Sequence, residues 1–231
     1  MLKNTITFII RKYKNPHFEF DPNVGLLAIL SLVNNRLKYK FRGMLLIFKF
    51  KKTNNLFLGK GVSFSGLNKI SFGSFVTLGN YTFCSSLGES GIEFGDRVSI
   101  GDFSRVIVST SFNNIGAGIN IGNDVAIGEF SYIGGAGGVS IGSSCIIGQY
   151  FSVHSENHIF SNLHIEIREQ GVTRRGILIG ENCWVGSKVT VLDGSKVGNG
   201  CVIAAGAVVS GVFPDNVVIG GVPAKILKYR S

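Results

Sequence analysis

His158 is the residue of this sequence best placed for acid–base chemistry. It lies near the start of SENHIFSNLHIEIREQGVTRRG, residues 155–176, a polar and charged stretch between two apolar, regularly patterned ones. Imidazole, with an ordinary pKa of ~6.5, can take and return a proton near neutral pH. Glu156, two residues before it, could orient the ring or simply be solvated. His154 and His164 fall in the same region. Three histidines can also hold a metal, but such ligands converge from separate elements, whereas these crowd one loop. No metal is expected.

The flanks must position this loop. On its left, aliphatic residues recur every six positions at Ile141, Ile147 and Val153. On its right they resume at Ile179, Val185, Val191, Val197, Ile203 and Val209. Many are followed directly by glycine, as in Leu78-Gly79, Ile100-Gly101, Ile127-Gly128 and Val185-Gly186. Neither a 3.6-residue helix nor a two-residue alternation produces a period of six. A short strand followed by a corner does, with glycine expected to turn the corner. Three such units make a coil of about 18 residues, and stacked coils make a parallel β-helix.

Interruptions of the period are informative. Spacing is strict through 94-100-106, 121-127-133 and 141-147-153, and irregular after Val106, Ile133 and Val153. Extra residues should therefore leave the solenoid at one corner and build a ridge, with His158 on its longest loop. Cys145, Cys183 and Cys201 share one place in the six-residue unit, an inward place that takes small side chains. Cys84 falls on the aliphatic position itself. The thiols are expected to be buried and structural.

The abundance of glycine (32 residues) over proline (4) fits many turns. The net charge of +9 is concentrated: residues 1–57 hold eleven of the 23 Lys and Arg against Glu19 and Asp21. Within this arm Leu26, Leu30, Val33, Leu37, Phe41, Met44 and Phe48 form a helical stripe. The arm suits an anionic membrane surface, taken here over nucleic acid, or else it caps the β-helix. The apolar run VGLLAILSLV is about half of the ~20 residues a spanning helix needs, and no cleavable leader is visible. The expectation is a cytoplasmic protein, at most peripheral to the membrane, with a basic arm (1–57) and a β-helix domain (58–231).

CWVG (183–186), IAAGAVV (203–209) and GGVPAKI (220–226), preceded by Asn157-His158, resemble the hexapeptide-repeat acyltransferases. The galactoside, maltose and polysaccharide O-acetyltransferase branch is the most similar. The resemblance implies a mainly β fold, a left-handed parallel β-helix with a protruding catalytic loop, and a homotrimer with active sites between subunits. It implies acetyl-CoA as donor and a carbohydrate acceptor. It makes His158 the general base and the Ser187 N–H the oxyanion donor. Trp184, Gly186 and Ala205 would follow the pantetheine arm, and Lys225 and Lys228 the nucleotide phosphates. Asn157 and Glu156 would fall to the acceptor.

Two departures are visible. Ser210-Gly211 stands where the family commonly has Thr-Lys, and GEFSYIGGAGG (128–138) offers no counterpart of the asparagine that fixes a galactoside acceptor. The expected activity is O-acetylation of a cell-envelope or capsular polysaccharide or its precursor. Alternatives are another small acceptor (antibiotic, free sugar or serine), a metal-dependent hydration enzyme of the carbonic anhydrase kind, and a β-helix without chemistry.

Overall fold

A computed structural model describes residues 2–13, 16–49, 51 and 54–230. From Phe57 onward, short parallel strands lie on three faces. The first face begins with Phe57–Leu58 and Thr77–Leu78, the second with Ser63–Ser65 and Phe83–Ser85, and the third with Ile70–Phe72 and Gly88–Phe94. Each strand pairs with its counterpart one coil later, in constant register except for a shift between Gly88 and Gly91 on the third face. Leu58, Leu78, Ile100, Ile127, Ile147, Val185, Ile203 and Ile219 consequently form one continuous inward row. Every member is buried. The six-residue period is the sequence image of this stacking. At the far end Ala224–Tyr229 folds back antiparallel on Val217–Gly221 and closes the first face.

The glycines do a different job from the one expected. Between the first and second faces the left-handed backbone falls on Tyr81, Phe103, Phe130 and Tyr150, at φ 56–57°, three residues after each aliphatic position. The glycine after the aliphatic residue is required by close approach instead. A Cβ on Gly128 would lie 2.5 Å from Gln149 N, and one on Gly148 would lie 2.6 Å from Ser187 N. The four corner rings stack on one another at 5.2–5.3 Å, offsetting part of the cost of left-handed aromatic residues.

The thiols are interior, as their register demands. Cys84, Cys145, Cys183 and Cys201 are free and buried. Cys145, Cys183 and Cys201 direct Sγ at the carbonyls of Gly180, Gly198 and Pro214, at 3.2–3.3 Å. Burial pushes the Cys84 thiol up to about 12, so it stays protonated at neutral pH.

The basic arm carries two helices, α1 (Leu2–Tyr13) and α2 (Leu26–Met44), and α2 runs into a 3₁₀ turn at Leu45–Lys49. The α-helix therefore ends before Phe48. Ile29, Gly43 and Leu46 are buried. At Gly43 the helix backbone meets that of Leu56 so closely that any Cβ would overlap the Leu56 carbonyl. The Arg36 guanidinium lies 3.4 Å from the Phe57 ring centroid and donates to Thr77 Oγ1 at 2.9 Å. This face is rotated about a quarter turn from the stripe read in the sequence. Leu26, Leu30, Leu37, Phe41, Met44 and Phe48 remain exposed.

Candidate active site

Residues 155–176 leave the β-helix between Ser152–His154 on the second face and Ile177–Ile179 on the third. The bulges at 108–115 and 135–138 leave at the same corner, so the predicted ridge exists. The neck of the loop is a two-stranded antiparallel pair, Asn157 opposite Thr173 and His158 opposite Val172. Just below it Arg174 Nε donates to Glu156 at 2.7 Å. Arg174 Nη1 donates to Asn114 Oδ1 at 2.7 Å and to the Ile115 carbonyl at 2.9 Å, while Nη2 reaches the Asn114 carbonyl at 3.2 Å. One guanidinium thus ties both strands of the neck to a bulge two coils away.

The exit from the loop is fixed as firmly. The carboxylate of Asp193, nearly buried, accepts from the Arg175 N–H at 2.8 Å and the Gly176 N–H at 2.9 Å. Farther out, the Gln170 amide donates to the Asn162 and Ile165 carbonyls, both at 2.8 Å. His158 is exposed on this braced hairpin, and its ring makes no hydrogen bond among the described residues. Glu156, a candidate for orienting that ring, is engaged by Arg174 instead.

The other two imidazoles differ. His154 points outward from its strand, stacks on Tyr132 at 5.4 Å and shares a 2.7 Å hydrogen bond with Ser152 Oγ. Partial burial lowers its pKa, so it is neutral at pH 7. His164 is exposed in the outer part of the loop. The three do not form a group able to hold a metal ion; no cluster of three or more His, Cys, Asp or Glu among the described residues does.

The remaining candidates gather elsewhere. Trp184 stands exposed on the outer side of the first face, in the cross-strand row Ile146, Trp184, Val202, Val218, Lys228. Lys225 sits opposite Gly220 on the same terminal hairpin. Gly186 and Ser187 follow Trp184 at the corner between the first and second faces, with Ala205 one coil above. A Cβ on Gly186 would lie 2.6 Å from Ala205 N. Ser187 Oγ donates to Gln149 at 2.7 Å.

The Ser187 N–H shares this corner with those of Asp102, Glu129 and Gln149, which likewise find no acceptor among the described residues. In the equivalent place lower down, the Asn80 N–H is taken by Asp102, the residue one coil above it, at 2.8 Å. Above Ser187 stands Ala205, which has no acceptor side chain. The Ser187 N–H has no acceptor among the described residues and opens beside the exposed Ala205.

The two groups of candidate residues therefore lie on opposite edges of the second face. Ser187 precedes Leu192, the residue paired with His154, by five positions that include the turn at Lys188, so they stand at most about 16 Å apart. His158 lies beyond His154 on the far side. The sequence singled out His158 by its loop and Ser187 by the family resemblance, without their separation, and it did not single out Arg174 or Asp193. The only signal for Asp193 was its place before Gly194 at an irregular turn.

Comparisons with known proteins bear on this geometry. The family model for the bacterial transferase hexapeptide (six repeats) matches residues 176–211. A putative lipopolysaccharide biosynthesis O-acetyl transferase of Escherichia coli K12 is 31% identical over 153 residues, covering 63% of this chain and 75% of that protein. A probable acetyltransferase of Mycobacterium tuberculosis is 31% identical over 61% of this chain and 45% of its own length. Galactoside O-acetyltransferase of E. coli is 34% identical over 39% of this chain and 43% of its own. The chain thus spans less than half of the latter two relatives. Among solved structures, an N-acyltransferase from Bacillus cereus aligns with a TM-score of 0.55 at 16% identity, over 81% of this chain and 88% of that one. These likenesses agree with the left-handed parallel β-helix expected from the sequence.

Proposed function

The chain belongs to the bacterial hexapeptide-repeat transferases, and on that premise we propose that it moves an acetyl group from acetyl-CoA to a sugar hydroxyl of a cell-envelope polysaccharide or its precursor. The observation that carries this reading is the pair of half-sites: an exposed, braced imidazole on one edge and an open N–H beside a small residue on the other. In this account His158 takes the proton of the sugar hydroxyl as its oxygen attacks the thioester carbonyl. The Ser187 N–H stabilises the oxyanion that forms. Collapse expels the CoA thiolate, which the protonated His158 neutralises. Trp184, Gly186 and Ala205 border the pantetheine arm, Lys225 and Lys228 meet phosphate, and Asn157 lies on the acceptor side.

In a single copy the second face stands between the two proposed half-sites, which favours a site shared between copies. The site is accordingly completed between neighbouring copies in a homotrimer, the loop of one against the donor corner of the next. The test is CoA release across a panel of acceptors that includes lipid-linked oligosaccharide, with mass analysis of the product. Release dependent on a hydroxylated glycan, together with one added O-acetyl group, is expected. Acylation of amines alone, or a thioester left intact with every acceptor, would overturn the reading.

The arm is read as a lipid contact as well as a cap. No described helix is long and apolar enough to cross a membrane. Yet α2 leaves Leu30, Leu37 and Phe41 exposed on one side of an arm with a net charge of +9. Near acidic lipid each Lys or Arg adds ~1 kcal/mol within a Debye length of ~8 Å, and the exposed apolar side chains insert. The chain is expected to sediment with phosphatidylserine vesicles at low salt and to release at high salt. Leu30→Glu with Phe41→Glu should abolish sedimentation without lowering the melting temperature, since neither residue is packed. Sedimentation unaffected by those changes would leave α2 as a cap only.

A further inference from the structure

A cavity of about 160 Å³ opens at the base of the His158 hairpin, lined in part by Ser109, Tyr132, His154, Glu156 and Arg174. It is smaller than the ~300–1,000 Å³ that accommodates drug-sized ligands, so it suits one ring and not a disaccharide. Its relation to the base follows from strand geometry. Glu156 and Arg174 face each other across the neck, one pair beyond Asn157–Thr173. Residues two apart on a strand share a side, which puts His158 on the side of Glu156, about 7 Å along the chain.

The charges of the cavity are already balanced. The Arg174 guanidinium spends four of its five N–H donors on Glu156, Asn114 and Ile115, whereas Glu156 binds it through Oε2 and keeps Oε1 in reserve. His154 is neutral and adds no positive charge. What remains is a carboxylate oxygen, hydroxyls and the Tyr132 ring, which together complement a polyhydroxylated ring without charge. A carboxylated sugar would bring a second anion beside Glu156, and the lining holds no second cation for it; Arg105, paired with Tyr132 one coil below, lies outside the lining.

We propose that this cavity seats a single neutral pyranose ring of the acceptor, held by Glu156 and Tyr132, with the hydroxyl to be acetylated directed along the hairpin to His158. The proposal rests on the acetyltransferase reading and narrows it to neutral acceptors at the reacting residue. Saturation-transfer NMR on the full chain, without donor, tests it separately from catalysis. The probes are methyl α-D-galactopyranoside and methyl α-D-glucopyranoside against glucuronic acid and N-acetylneuraminic acid.

At least one neutral glycoside should bind, about tenfold more tightly than either acid. Glu156→Gln should narrow or reverse that preference, a change that mere loosening of the loop would not produce. Tyr132→Ala, which leaves the Arg174 contacts in place, should weaken the neutral probe about tenfold with acetyl-CoA binding unchanged. Equal or better binding of the acids, no binding of either neutral glycoside, or neutral binding indifferent to both substitutions would each overturn the proposal. Sugar binding without any acetyl transfer would instead remove the functional reading and leave the cavity assignment standing.

Discussion

His158→Ala is expected to lower acetyl transfer by ~10²–10⁴ while leaving acetyl-CoA binding near normal, the usual cost of losing a general base. The structure makes this substitution clean. The imidazole is exposed, and the loop is held by Arg174, Asp193 and Gln170, none of which bonds to that ring. Folding and donor affinity should therefore survive. His164→Ala, in the outer loop, should cost little. Retention of more than about a tenth of the wild-type rate by His158→Ala would assign the base elsewhere. His154 would be the next candidate, being neutral at pH 7 and within 2.7 Å of the Ser152 hydroxyl.

Ala205→Asp should be nearly as damaging, for a reason that the lower coils supply. Asp102 accepts the Asn80 N–H at 2.8 Å and the Asn80 side-chain amide at 2.7 Å. An aspartate at 205 would stand above Ser187 in the same register and cap its N–H in the same way. The chain already uses this arrangement, so the fold should hold. The corner would lose its oxyanion donor and gain an anion where negative charge must develop. Removing one such donor typically costs ~10²–10³ in kcat, and the added repulsion acts in the same direction. Ala205→Ser should be milder, because its hydroxyl can take the N–H only as Ser143 takes that of Asn123, at 3.1 Å, and brings no negative charge. An active Ala205→Asp enzyme with a normal melting temperature would take the oxyanion role away from Ser187.

The β-helix was legible because its core is one-dimensional: each inward aliphatic residue stacks on its own image, so a local period reports the long-range contact. Ile147, Val185 and Ile203 are neighbours in space for the same reason that they are spaced in multiples of six outside the loop. The polar interruption at 155–176 was legible by contrast with that pattern. What fastens it was not. Arg174 reaches Asn114, 60 residues earlier, and no local pattern announces such a bond.

Glycine misled in an instructive way. Its recurrence after each aliphatic residue reads as a turn requirement, whereas backbone proximity between coils is what excludes a side chain at Gly128, Gly148 and Gly186. The orientation of α2 was hidden because both of its sides are apolar: Ile29 packs inward while Leu30, next to it, faces out. Backbone crowding at Gly43 decides between them, and that contact exists only once Leu56 is in place.

The central claim is that the base and the oxyanion donor of one working site come from two copies of the chain. His158→Ala and Ala205→Asp chains, each nearly inactive alone, test it directly when coexpressed in equal amounts and purified together. If the site lies between copies, random assembly pairs an intact loop with an intact corner at about one site in four, and roughly a quarter of the wild-type rate returns. If one chain supplies both groups, every site in the mixture carries one lesion. Activity would then stay at the level of the separate variants, and the account would be contradicted.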